Sequence, residues 1–161
     1  MKIALICSLL MWLCAPCSAA PLGDGAFNTI SISADEASED EQPGILHFNG
    51  HFLMQSENWQ IMSERAVVYG SPDRPDRVYI EGSPARFLIK REDVAGGSTV
   101  EAAASVVEYL RALDRLVLSG NAVLMLEDEV IRSAHIEYDI GANRYRAGGA
   151  DGVLIEVSPV D

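Results

Sequence analysis

The sequence predicts an all-β domain (a sandwich, a roll or a barrel) on three observations. Apolar residues recur at every second position from Asn28 onward, turn residues punctuate the chain about every 8 to 12 residues, and no long stretch carries the 3.6-residue period of a helix. Thr29-Ile30-Ser31-Ile32-Ser33 alternates cleanly. So do Arg77 to Glu81 and Ala85 to Ile89, with one apolar residue on the second face. Leu116 to Leu118 and Ala122 to Leu126 are apolar on both faces, and Gly152 to Val157 is a last run. Between them fall Gln42-Pro43-Gly44, Asn49-Gly50, Gly70-Ser71-Pro72, Gly82-Ser83-Pro84, Gly96-Gly97, Ser119-Gly120-Asn121, Gly141 and Gly148-Gly149. Ala102 to Leu113 has a helix former's composition, yet Val106 and Val107 are β-branched and Val107 and Tyr109 share a strand face. It is expected to be a strand.

An internal echo supports short repeated strands. Phe48-Asn49-Gly50, Phe52, Met54, Ile61, Ser63, Ala66 and Val68 return 70 residues later as Leu118-Ser119-Gly120, Ala122, Leu124, Ile131, Ser133, Ile136 and Tyr138. Each unit reads as strand, glycine kink, strand and return, and such units stack to leave open ends.

The N-terminus reads as an address. Lys2, the apolar run Ile3 to Leu13 and the small residues up to Ala19 form a signal peptide, expected to be cleaved after Ala19, with an uncleaved anchor as the alternative. Residues 20–27 are expected to be a flexible segment and residues 28–158 the single domain, which suits a chain of 161 residues. All three cysteines (Cys7, Cys14, Cys17) lie in the leader, and Pro16 argues against a lipidated Cys17. An exported domain with no disulfide framework points to the periplasm. The whole chain has 12 basic and 24 acidic residues, a net charge of −12; losing Lys2 with residues 1–19 makes it −13. That balance excludes a nucleic-acid partner, which needs a basic footprint. With 48% apolar and 22% charged residues the composition is globular.

Catalytic and metal readings are poor. His47 and His51 flank Asn49-Gly50 and have no third ligand, His135 stands alone, and Asp35, Glu36, Glu39, Asp40 and Glu41 match no Ca²⁺ loop. No phosphate loop or nucleophile elbow is present, so neither an enzyme nor a cofactor is expected. Trp59 reads as a half-buried strand residue.

In order along the chain, Ile30 to Asp35, Leu46 to Met54, Ser63 to Tyr69, Gly82 to Phe87, Val107 to Tyr109, Leu116 to Ala122 and Ile131 to Tyr138 resemble the lipopolysaccharide-transport LptA, or OstA-like, β-jellyroll family. Three departures are Asn49-Gly50-His51, where the family has Gly followed by Asn, the glycine-rich loop Asp93 to Thr99, and the heavily acidic Glu36 to Glu41. The resemblance implies an open, V-shaped antiparallel roll whose interior holds lipopolysaccharide acyl chains. It also implies head-to-tail stacking and a bridge from an inner-membrane LptC-like protein to an outer-membrane LptD-like one by β-strand addition. Ile30, Ile32, Phe87 and Tyr109 fall where the family lines its interior.

The inward parity set is Ile30, Ile32, Leu46, Phe48, Phe52, Met54, Ile61, Val78, Ile80, Phe87, Val107, Tyr109, Leu116, Leu118, Leu124, Ile136 and Tyr138. By parity alone these are core residues; the resemblance makes them an acyl-chain lining. Sheltering about twelve methylenes is worth roughly 10 kcal/mol. Thr29, Ile30, Ser31 and Ile32 at one end and Val153, Leu154, Ile155 and Val157 at the other carry no lysine or proline, so they are expected to be unblunted edges. Lipopolysaccharide and this chain are both anionic, so burial rather than charge must carry affinity. Arg65, Arg77, Arg86, Arg111 and Arg115 read as a solvated face, with phosphate contact as the alternative. The rival functions are the periplasmic part of an LptC-like partner, a closed β-barrel carrier of a small hydrophobic molecule, and a purely structural sandwich.

Overall fold

The computed structural model describes residues 29–91 and 98–158. The leader, the segment 20–27, Asn28 and most of the loop 93–99 lie outside the described residues. Nine strands form one antiparallel sheet: β1 (Ser31–Ser33), β2 (Glu36–Glu39), β3 (Ile45–Gln55), β4 (Trp59–Ser71), β5 (Arg74–Arg91), β6 (Ser98–Leu110), β7 (Arg115–Leu126), β8 (Glu129–Asp139) and β9 (Arg144–Val157). From β3 to β9 each strand pairs with the next in sequence. β1 and β2 lie end to end along the other side of β3, and β9 has β8 as its one sheet neighbour. The sheet does not close on itself, which removes the closed-barrel reading.

The strands are longer than the sequence suggests, and the cause is local. Asn49-Gly50, Gly82-Ser83-Pro84, Ser119-Gly120-Asn121 and Gly148-Gly149 do not reverse the chain; they crease it inside a continuous strand. The register slips at Asn49/Phe52, Met62/Arg65, Glu81/Ala85, Ala103/Val106, Ser119/Ala122 and Ser133/His135, so the bulges line up across the sheet. A bulge bends its strand and sharpens the twist; six in a row fold the sheet into two walls. The echoed positions use the same device, with left-handed backbone at Gly50 (φ 72°) and His51 (φ 46°) and again at Gly120 (φ 78°) and Asn121 (φ 49°). His51 therefore adopts the conformation of Asn121, and the departure at that position leaves the crease intact.

Two further expectations are corrected. The segment Ala102 to Leu113 is strand only to Leu110; Arg111–Leu113 form a 3-10 turn that carries the chain into β7 through the left-handed Asp114. Thr29 and Ile30 lie outside β1, whose ladder pairs Ser31 to Ser33 with Leu53 to Gln55. The hydrogen-bonded edge at this end is thus three residues long there, continued by β2.

Candidate functional site

The first wall comprises residues 45–49, 65–71, 74–81, 106–110, 115–119, 135–139 and 144–148; the second comprises the other half of each long strand. Alternation sends one apolar set from each wall into the space between them. Beside the bulges the inward residues include the small Ala66, Ala85, Ala104 and Ala122 as well as Phe48 and Phe52 of β3, all buried. Farther out, Met54, Ile61, Ile80, Leu116, Leu118, Leu124, Ile136 and Tyr138 fill the middle and are fully buried, as Val78, Phe87 and Val107 very nearly are. Ile30, Ile32, Leu46 and Tyr109 are half-buried and pack against them.

Each strand's main contacts are with its sheet neighbours, so the walls meet almost entirely through side chains. Nothing in the backbone ladder opposes their parting.

The mouth of the cleft differs along its length. Towards the N-terminal end, a cavity of about 270 Å³ is lined mainly by apolar groups, including Ile30, Met54, Trp59, Phe87, Tyr109 and Ile140, with Asp73, Arg74, Arg111 and Asp114 on its rim. Phe87 lies between Trp59 (ring centroids 6.4 Å apart) and Tyr109 (5.9 Å), forming an aromatic wall. This volume is just below the roughly 300–1,000 Å³ of small-molecule pockets, so a long acyl chain has to spread the walls. Burial, with the Asp114 charge beside it, pushes the Tyr109 phenol up.

Towards the C-terminal end the mouth holds a more polar cavity of about 450 Å³. Here Tyr145 Oη, from the first wall, donates to Glu129 Oε1, from the second, at 2.7 Å. That bond, with burial and the Glu129 charge, pushes the Tyr145 phenol up to about 12. Tyr138 donates to Asn143 Oδ1 at 2.8 Å, and its phenol is raised chiefly by burial.

Among the described residues, both ends of the sheet are open edges. The second half of β9 is exposed on both faces: Val153 is 45% exposed, Leu154 54%, Ile155 46% and Val157 69%. By register Ile155 lies beside buried Ile131, so the inward face of β9 extends the apolar lining past the last pair of strands. At the other end β1 and β2 meet β3 through a crease held by Asp35, whose N–H donates to the Gly50 carbonyl at 2.9 Å and whose carboxylate meets His51 Nδ1 at 2.8 Å. The Asp35 carboxylate raises the His51 pKa.

Of the five arginines singled out in the sequence, four are engaged on the outer face: Arg65 pairs with Glu81, Arg77 with Glu108, Arg86 with Glu101 and Arg115 with Glu137. Cross-strand pairing makes these four part of the sheet surface. Arg111, in the 3-10 turn at the rim of the mouth cavity, pairs with Asp76. The inward set read from the sequence omits Val68, Val100, Ala102 and Ile131, all buried in the interior, while Trp59 is the half-buried strand residue expected. No group of three metal-ligating side chains occurs among the described residues.

The creased, open sheet with its apolar interior defines a β-jellyroll that is a cleft rather than a barrel. The family model described as LptA/(LptD N-terminal domain) LPS transport protein matches residues 31–144, and the chain belongs to that family. It is 29% identical over 120 residues to the lipopolysaccharide export system protein LptA of Escherichia coli K12, covering 73% of this chain and 63% of that protein. To LptA of Haemophilus influenzae it is 25% identical over 138 residues, covering 84% of this chain and 78% of the other. The fold is similar to the crystal structure of LptH, the LptA-homologous periplasmic component of the lipopolysaccharide transport device of Pseudomonas aeruginosa. That match has a TM-score of 0.72 at 19% identity and covers 82% of this chain and 96% of LptH.

Proposed function

We propose that this chain is a periplasmic carrier that binds lipopolysaccharide by its acyl chains between the two walls. By this reading it passes the cargo towards the outer membrane along a cleft extended edge to edge by neighbouring subunits. The neighbours are further copies of the chain, an LptC-like inner-membrane protein and an LptD-like outer-membrane protein, joined by β-strand addition. The reading is of a carrier without catalytic turnover. One observation carries the proposal: the apolar interior continues, uncapped, onto the exposed inward face of β9. A protein whose interior served only as a core would blunt such an edge with charge, proline or a covering segment.

The interior is filled by its own side chains in the absence of cargo, so binding has to replace wall-to-wall packing by wall-to-lipid packing. The exchange is apolar for apolar and breaks no ladder hydrogen bond, so the walls can part about the crease. Head groups stay at the solvent side, because the chain's net charge of −12 gives a phosphate no general attraction. The test is photocrosslinking in cells from Phe87 and Tyr109, with outward-facing Val123 as control. Lipopolysaccharide adducts at the first two positions and none at the third are expected; equal labelling at all three, or none, would overturn the proposal.

A further inference from the structure

The two edges of the sheet carry opposite charge on the same wall. At the C-terminal edge, the first half of β9 presents Arg144 and Arg146. Both are exposed and on the outward face, since their neighbours Tyr145 and Ala147 point inward, and neither has an ion-pair partner among the described residues. The carboxylate in register with Arg146, Glu137, is held by Arg115 and His135, and Asp139, in register with Arg144, accepts from the Ala142 N–H. At the N-terminal edge of the same wall, β2 and the residues after it present Glu36 and Glu41, both exposed and without ion-pair partners among the described residues, together with Asp40, which meets His47 on the outer face; Glu39, in register with Leu46, stands on the inward side. On the second wall both edges are apolar instead, Ile32 and half-buried Ile30 at one end and Val153 to Val157 at the other.

We propose that charge selects the head-to-tail direction of the edge-to-edge assembly: Arg144 and Arg146 on β9 of one copy meet Glu36 and Asp40 on the outward face of the β2 edge of the next, which fixes the direction and register of the pairing. The inference rests on the edge-to-edge assembly proposed above and adds what selects the partner edge. The strands from β3 to β9 alternate in direction, and β1–β2 runs antiparallel to β3, so β9 of one copy meets β1–β2 of the next antiparallel. With the creases aligned, Gly149–Gly152 against Ala34–Asp35, the arginines fall among the acidic residues and Ile155 beside Ile32. Joining two N-terminal edges would set carboxylates against carboxylates, and two C-terminal edges arginines against arginines; both wrong pairings repel.

The test uses two charge-reversed proteins, R144E/R146E and E36K/E41K. All four side chains are exposed, so each variant should keep the parent's unfolding midpoint. Light scattering of the parent should show concentration-dependent oligomers that weaken about tenfold or more between low and high salt. Each variant alone should associate about tenfold more weakly or worse, having two edges of like sign, and an equimolar mixture should regain assembly because each supplies the edge the other lacks. If the parent assembles but the variants do so equally well, or the mixture does not recover, the charge selection is wrong while edge-to-edge assembly stands. If the parent is a monomer at every concentration, the assembly itself fails, and the inference with it.

Discussion

Replacing Phe87 by alanine tests whether the aromatic wall is a cargo surface or a plain core. Phe87 is 5% exposed, so nearly all of its side chain is withdrawn from water. At about 25 cal/mol per Å² over roughly 150 Å², that burial is worth about 4 kcal/mol. Contacts with Trp59 and Tyr109 add about 0.5–1.5 kcal/mol each. Against this, the ring borders an existing cavity of about 270 Å³, so the space it vacates joins an opening rather than becoming a sealed void. The cavity penalty of a deep truncation is therefore largely absent; with the roughly 1–2 kcal/mol of burial that alanine retains subtracted and the ring contacts added, the loss should fall near 4 kcal/mol, inside the about 3–5 kcal/mol range for such changes. Phe52→Ala is the comparison: Phe52 is fully buried, packs on Phe48 at 5.1 Å and lies away from the cavity at the N-terminal mouth, bordering only a shallow opening on the outer surface beside Pro84, so it should cost about 5 kcal/mol. Urea denaturation with unchanged m-values gives both numbers. Phe87→Ala should also take up a dodecanoyl probe more tightly, while Phe52→Ala need not. Equal losses for the two variants, or weaker probe binding by Phe87→Ala, would refute the distinction between mouth and core.

Three further outcomes follow from the mouth and the creases. The Tyr145–Glu129 bond favours the protonated phenol, so the stability it adds is fully present below about pH 10 and is lost as pH rises towards about 12. Tyr145→Phe should remove that part of the alkaline fall in denaturation midpoint and lower stability at neutral pH by about 1 kcal/mol. For His51, whose pKa is raised by Asp35, the contribution is present below about pH 6.5 and lost as pH climbs through the raised value; amide exchange of β1 and β2 should quicken over that interval, and His51→Gln should abolish the dependence. Gly50→Ala should cost about 1–3 kcal/mol, because a Cβ there would sit 2.2 Å from Asp35 Oδ2 on left-handed backbone. Gly44→Ala has a similar φ with no atom within 4 Å, so it should cost about 1 kcal/mol, isolating the clash at Asp35 in the same denaturation assay.

Much of the fold was legible because burial on one face imposes a period of two. Val107 and Tyr109 pair with Ile80 and Val78 across the ladder, which is why Ala102 to Leu110 is strand despite its helix-forming residues. The echo over 70 residues read correctly as a kinked unit, and the repeated left-handed pairs at Gly50-His51 and Gly120-Asn121 are its physical content. What sequence misjudged was glycine's role. A glycine that creases a strand and one that ends it look alike until the register on both sides is known. The cross-wall bond of Tyr145 was illegible for another reason: nothing local links residue 145 to residue 129.

The meander topology has a consequence for how the molecule comes into being. Because each long strand finds its partner in the segment just before it, a chain supplied from its amino end can add strand to strand as it emerges. It need not hold early segments waiting for distant ones, a route that keeps loop-closure costs small. At every stage of such growth the newest strand stands bare until the next arrives. Completion alters nothing in that respect, so the docking proposed above would be one more round of the step that built the subunit.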